Sequence, residues 1–315
     1  MTAKPVRRVG GVEEEAVEAP QDIGPELTPA QRDTLDRLRR DLEAELSGPA
    51  TAVPDGETLW VSKHALAGVH GCEARWVAEE DTPFATSAPM VVGSVAHKAI
   101  ELTLNRASGP DPDPADLVDR ALSRLAGSER WMGDWLEDCD PDDRAEVRSA
   151  AIAKVSAFGE LWPPLDRRWR PVTEASIRSD LLGQRVRLSG KVDLTLGQAE
   201  GLTARKVIID LKTGRPSLAH RDDLRFYALV ETLRVGTPPR AVASSYLDSG
   251  ELHVEAVTED HLDAAVARTV DGAERMVALR YEGDEASRRP SGACRWCPIR
   301  DDCGPGQAFL DDPDA

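Results

Sequence analysis

The chain has 315 residues, with 39 Lys plus Arg against 56 Asp plus Glu and a formal net charge of −17. No run approaches the roughly 18 apolar residues of a membrane helix, and residues 1–19 hold two arginines but no apolar segment, so they are not expected to act as a secretory signal. Five cysteines, odd in number and unevenly spaced, do not make a disulfide scaffold and point to a reducing cytoplasm and a metal site. The acidic balance, taken whole, argues against a nucleic-acid partner.

Residues 1–27 are polar, include Glu13-Glu14-Glu15 and read as a disordered acidic tail. Residues 28–58 form a helix and a linker: Thr28-Pro29 starts the helix, Leu35, Leu38, Leu42 and Leu46 repeat at helical spacing, and Ser47–Glu57 is a loop. The folded body begins near Leu59. Ser62–Val69 reads as a short helix capped by Ser62, followed by helices over Val91–Arg106, Leu117–Ala126 and Asp143–Leu161. The pattern then shifts to strands over Val172–Ser179, Arg185–Leu196 and Lys206–Leu211, a helix over Arg221–Leu233, strands over Ala241–Leu247 and His253–Val257, and a long helix over Asp260–Tyr281. From Gly283 the chain is irregular. This order predicts an α/β or α+β domain with a mixed sheet over residues 59–308, and an acidic tail over 309–315.

One acidic constellation sits on the strands. Asp193 lies in one strand, Asp210 and Lys212 end the next with their side chains on one face, and Glu174 precedes both. Hard oxygen ligands in this arrangement suit Mg²⁺ or Mn²⁺, and a neighbouring lysine stabilises charge on a phosphate. The bland alternative for Asp210-x-Lys212 is a pair of solvated charges at a strand end. His97, on its own, reads as a packing or surface histidine. Gly93, four residues earlier, permits a close backbone approach.

Taken in order, Gly93-x3-His97, Glu174, Gly190-x2-Asp193, Asp210-x-Lys212 and a helix with Tyr227 resemble the RecB-like branch of the PD-(D/E)XK nuclease superfamily. The resemblance implies a restriction-endonuclease-like core, a mixed central sheet flanked by helices, with an N-terminal helical part and a C-terminal cysteine clasp. It implies that His97, Asp193 and Asp210 are metal ligands, Glu174 an outer or second-metal ligand, and Lys212 the catalytic lysine. The implied activity is metal-dependent hydrolysis of DNA, as an exonuclease on single strands or ends. The family's helix usually reads Gln-x-x-x-Tyr before the DNA backbone. Here Asp223 precedes Tyr227, with Arg225 or Arg221 available to pair with it, and Tyr227 and Arg225, like Arg168 and Arg170, are candidate DNA contacts.

Cys294-x2-Cys297-x5-Cys303 lies in a polar loop, and its spacing chelates one metal centre with a fourth ligand from elsewhere. Cys72 is the candidate. Cys139, between acidic neighbours that disfavour a thiolate, is the competitor. Spacing alone leaves zinc and iron–sulfur open. In AddB and the CRISPR-associated RecB-like exonucleases, one cysteine before the nuclease core and a Cys-x2-Cys-x5-Cys set after it hold a 4Fe–4S cluster. The segment Val61–Leu66 leading to Cys72 is similar to that branch's entry helix, although Glu73 follows where Pro is common. The resemblance therefore implies a largely structural cluster on Cys72, Cys294, Cys297 and Cys303.

No Gly-x4-Gly-Lys-Ser/Thr loop is present, so strand separation would fall to a separate helicase or other DNA-processing subunit. The alternative class is a non-catalytic nucleic-acid- or protein-binding module that keeps the nuclease fold. The distribution of charge reopens DNA as a partner. Asp111–Glu146 holds 12 acidic and 4 basic residues, whereas Trp162–Lys191 holds 7 basic and 3 acidic. Arg168 and Arg170 flank Trp169, which offers cations with an aromatic to stack a base; a solvated strand edge is the equal alternative. Salt-sensitive binding along a local basic path is expected.

Overall fold

The computed structural model describes residues 28–82, 86–104, 112–162, 164–200 and 203–312. The expected N-terminal tail over 1–27 and the last residues of the expected C-terminal tail lie outside them. Helix α1 (Pro29–Ala50) opens with a capping box in which Thr28 and Gln31 satisfy each other's backbone N–H. It runs past the predicted end, through Pro49, because Leu38, Leu42, Leu46 and Ala50 continue one buried stripe. A short strand, β1 (Leu59–Ser62), passes directly into α2 (Lys63–Gly71), whose N-cap Ser62 accepts from the Ala65 N–H as the sequence predicts.

Helices α3 (Glu73–Asp81), α4 (Ala88–Leu104), α5 (Pro114–Ser128), α6 (Arg130–Asp138) and α7 (Pro141–Leu161) follow. The periodicity predicts α4, α5 and α7 but not β1, α3 or α6, which are too short to show a repeat. Then come β2 (Val172–Leu181), β3 (Val186–Leu196), β4 (Val207–Lys212), α8 (Ala219–Val235), β5 (Ala241–Tyr246), β6 (Glu251–Ala256), α9 (Glu259–Val277) and α10 (Gly304–Asp311). Helix α10 crosses the boundary expected at 308.

The six strands form one mixed sheet. The whole of β2 lies antiparallel along one edge of β3. The other edge is shared. Parallel β1 pairs with Val186–Ser189, and antiparallel β4 pairs with Leu194–Leu196. Between them, Gly190–Asp193 faces a fork where neither neighbour pairs. Strand β5 runs parallel to β4, and β6 closes the sheet antiparallel to β5.

Helices cover both faces. One core joins Leu42 and Leu46 of α1, Leu66 of α2, Phe226 and Leu229 of α8 and Met276 of α9 to Val186, Leu188 and Val192 of the sheet. The other joins Val95 and Ile100 of α4, Leu117 of α5 and Val147 of α7 to Leu194, Leu196, Ile209 and Leu211. Along β3 the buried residues thus change face between Val192 and Leu194, at Asp193. Among the described residues no helix is long and apolar enough to cross a membrane.

Gly190 has no side chain because the Tyr227 ring fills that space. A Cβ there would lie 2.4 Å from Tyr227 Cε1, and Tyr227 is itself only 1% exposed. Gly190→Ala is therefore expected to destabilise the fold by about 1–3 kcal/mol in denaturant unfolding. An unchanged midpoint would show that the ring can retreat.

Candidate active site

The fork in the sheet collects the polar residues. Where β3 and β4 part, Leu211 loses its β3 partner, and its backbone groups are taken by side chains instead. Its N–H donates to Asp193 Oδ2 at 2.7 Å, and its carbonyl accepts from His97 Nε2 at 3.0 Å. This leaves His97 Nδ1 facing carboxylates, 3.3 Å from Asp193 Oδ1 and 4.0 Å from Glu174 Oε1. A histidine fixed by a backbone carbonyl on one nitrogen and open on the other is oriented as metal-ligating histidines are. Helix α4 sits close enough for this because of Gly93, where a Cβ would come 3.3 Å from Thr213 Oγ1.

Glu174 reaches the site through an irregular backbone. Thr173 pairs with Leu194 and Ala175 with Val192, so Glu174 and Asp193 stand opposite each other without a pair. Glu174 has φ 53°, in the left-handed region. That conformation is costly for a residue with a Cβ and is characteristic of functional positions. Like charges directly opposite on neighbouring strands also repel. Each is answered by a cation: Lys191 pairs with Glu174, and His97 lies against both.

His97, Glu174 and Asp193 each offer one ligand atom, and the three atoms lie within 4.8 Å of one another. The donor set suits a hard divalent cation. Asp210 does not join this compact group. It is buried at 1% exposure, with Oδ1 accepting from Lys63 Nζ at 3.0 Å and Oδ2 lying 2.7 Å from Lys212 Nζ. The Lys212 contact is off hydrogen-bond alignment, so Oδ2 has a counter-charge but no aligned donor. That open lone pair fits an additional ligand.

Electrostatics follow the geometry. Burial alone would depress the His97 pKa, but Asp193 first and Glu174 next outweigh it and raise it from 6.5 to about 9. Burial opposes ionisation of Asp193, yet His97 and the Leu211 N–H hold its carboxyl below the usual range. Burial also opposes the Lys63 charge, and Asp210 reverses this, holding the ammonium above its ordinary value. Burial pushes the Tyr227 hydroxyl up to about 12.

Several expected roles change in the structure. Asp223 does not pair with Arg221 or Arg225, which both bind Glu255, at 2.9 and 2.6 Å. It lies 3.3 Å from Lys212 and 4.0 Å from Lys63. Arg225 is therefore engaged by Glu255 on β6. Tyr227 is buried and donates its hydroxyl to the Lys191 carbonyl at 2.7 Å, so it builds the floor of the site and presents no surface to DNA. Trp169 is half-buried, packed on the second core. Arg168 is held by Asp166 at 2.9 Å, and Arg170 is exposed with φ 47°. Lys63 is the site residue that the sequence reading missed. It stands in the entry segment, far from the catalytic strands in sequence, and only the parallel pairing of β1 with β3 brings it to Asp210. A cavity of about 560 Å³ opens over the site, lined by Lys63, His97, Lys98, Trp131, Glu174 and Lys191 among others.

Cys72, Cys294, Cys297 and Cys303 line a second cavity, of about 380 Å³. Cys139 does not line it. Backbone N–H groups of Arg289 and Ser291 point at the Cys72 and Cys294 sulfurs, each at 3.4 Å. Glu73, which follows Cys72, is a latch. It takes a bidentate Arg275 at 2.7 and 3.0 Å and the Ser287 N–H at 2.7 Å, and hydrogen bonding to Arg275 lowers its pKa to about 2.

The model of the PD-(D/E)XK nuclease superfamily matches residues 61–304. The chain belongs to that superfamily. The match spans the fork, both sides of the sheet and the cysteine segment, and the mixed sheet flanked by helices is the restriction-endonuclease-like fold. A candidate exonuclease from Eubacterium rectale has a TM-score of 0.50 and 13% identity, over 89% of this chain and 94% of its own. At that identity the likeness shows the fold alone. The structure of SSO0001 is more distant, at a TM-score of 0.34 and 18% identity over 69% of this chain and 97% of its own. No curated protein matches the chain in sequence.

In metal-free protein the His97 imidazolium holds Glu174 and Asp193 together. Its raised pKa means that this stabilisation is complete below pH 6.5 and is lost as pH rises through about 9. Thermal unfolding of chelator-treated protein should therefore show a falling midpoint across that window, flattened in His97→Gln. A wild-type curve that is level there would remove the imidazolium from the site.

Proposed function

We propose that this chain is a metal-dependent DNA nuclease of the RecB-like branch, an exonuclease on single strands or DNA ends that works in repair, recombination or related DNA processing. The observation that carries the reading is the convergence of His97, Glu174 and Asp193 in one open cavity, with the buried Asp210 and its partner Lys212 behind it on β4.

His97, Glu174, Asp193 and Asp210 would hold Mg²⁺ or Mn²⁺. The cation would supply Lewis acidity at the scissile phosphate and would lower the pKa of the attacking water. Lys212, 2.7 Å from Asp210, would place its ammonium beside the charge that builds on the phosphate oxygens. His97 Nε2–H, anchored on Leu211, keeps the ring from turning. The exposed Lys191 side chain at the cavity wall would meet the DNA backbone. A helicase or other subunit would supply strand separation.

Degradation of single-stranded DNA with Mn²⁺ or Mg²⁺ tests the reading. Asp210→Ala and Lys212→Ala are each expected to lower the rate by about 10²–10³-fold. Equal activity in the variants would reject the site. Absence of cleavage by folded, metal-loaded wild type would favour the non-catalytic module.

We further propose a 4Fe–4S cluster on Cys72, Cys294, Cys297 and Cys303. The four thiols line one cavity, but among the described residues no three of them come within 4.8 Å of one another. A single tetrahedral zinc with bonds of about 2.3 Å needs sulfurs about 3.8 Å apart. The N–H donors aimed at the Cys72 and Cys294 sulfurs suit a thiolate-held centre, and the resemblance to the RecB-like branch favours iron–sulfur for it. Anaerobically purified protein is expected to show an absorbance shoulder near roughly 400 nm and about four irons per chain. One zinc per chain without iron would overturn this.

A further inference from the structure

Lys63 is the first residue of α2, immediately after β1. Ser62 pairs with Ser189, so the Lys63 side chain is delivered to the mouth of the fork. There it closes a ring of four alternating charges. Lys63 lies 3.0 Å from Asp210, Asp210 2.7 Å from Lys212, Lys212 3.3 Å from Asp223, and Asp223 4.0 Å from Lys63. The Lys63 ammonium also sits 4.9 Å over the Tyr227 ring. Two acids and two lysines balance, so Asp223 adds no uncompensated charge to the site.

The two lysines are not equivalent. Lys212 shares a strand with Asp210, two residues away on the same face, and its side chain is 15% exposed. Lys63 reaches across from another element, is 30% exposed and lines the cavity that holds His97, Glu174 and Asp193. A carboxylate oxygen that ligates a divalent cation is weakened as an acceptor, and an ammonium on the same carboxylate is repelled by the ion. The contact of Lys63 with Oδ1 and the occupation of Asp210 by a cation therefore oppose each other.

We propose that Lys63 is a positioning residue of the active centre, an exchangeable cation that holds the Asp210 carboxylate aimed at the fork until a divalent metal displaces it. This rests on the nuclease reading above, since it takes Asp210 as a metal ligand. Lys63 secures the bare site and sets how readily metal enters it. Lys212, on the same strand as Asp210, is the lysine that the nuclease reading reserves for the reaction.

The test is titration of Mn²⁺ alone into full-length, divalent-metal-free protein by calorimetry, with thermal unfolding to verify the fold of each variant. Lys63→Met removes the competitor and should bind Mn²⁺ about tenfold more tightly, because a charge-assisted hydrogen bond no longer has to be broken. Lys63→Gln, which keeps length and polarity without charge, should tighten binding in the same direction. Lys63→Arg should remain near wild type. Lys98→Met removes the same charge from the same cavity, but Lys98 is paired with Glu101 at 2.7 Å. It should change Mn²⁺ affinity less than about twofold. Unchanged or weaker binding in both neutral Lys63 variants would overturn the proposal, and so would equal tightening in Lys98→Met, which would reduce the effect to a general field. A wild type that binds Mn²⁺ and cleaves DNA while Lys63→Met fails to tighten sinks the lysine inference alone. A wild type that neither binds nor cleaves sinks the nuclease reading with it.

Discussion

Three carboxylates converge at the fork of one sheet, and their mutual repulsion is the constraint that the rest of the site answers. Glu174 and Asp193 face each other across β2 and β3, and Asp210 lies beside them at 1% exposure. Buried like charges persist only where partners balance them. Here each acid has its own: Lys191 for Glu174, His97 and the Leu211 N–H for Asp193, Lys63 and Lys212 for Asp210. These partners come from α2, α4, β3 and β4, so the site assembles only when both helical layers have closed on the sheet.

The same constraint explains the irregular backbone. A sheet paired throughout would leave no room for side chains from α2 and α4 at its centre. Ending the β1 pairing at Ser189 and starting the β4 pairing at Leu194 opens four residues of β3 on one edge. Leu211 then offers backbone groups with no strand partner, and Asp193 and His97 bind them. The left-handed Glu174 lies at the same level on the opposite edge. Strain and unpaired backbone are thus concentrated where ligand atoms are needed, and long regular packing on either side supports them.

Much of this was legible in the sequence. The spacing of Asp210 and Lys212, the apolar run of β4 and the alternation of β3 are local patterns, and local patterns survive without a structure. The interrupted pairing at Glu174 was not legible, because it depends on registration between two strands. Nor was Lys63, whose partner lies 147 positions away, or the true partner of Asp223. The sequence offered Arg221 and Arg225 as near neighbours, but helix geometry turns them to Glu255 on β6. The overall charge of −17 is equally blind to place, since it averages an acidic stretch over residues 111–146 with a basic one over residues 162–191.

Helix α2 carries the argument from the active site to the cysteines. Lys63 stands at its first position and Cys72 at its C-cap, nine residues later. Its body is wedged against α9, where a Cβ on Gly272 would lie 2.4 Å from Leu66 Cδ2. Beyond its end, Glu73 is clamped by Arg275 of the same α9 and by Ser287 of the cysteine tail. The backbone of α2 is therefore pinned along its length by packing and at its end by a buried, bidentate ion pair. Freedom at Lys63 is confined to its side chain. An ammonium on a flexible four-carbon stem, rooted in a helix that cannot shift, can leave a carboxylate and return to it without disturbing the fold. A metal centre on Cys72 would tighten the same anchor, so the clasp would set the position from which Lys63 reaches Asp210.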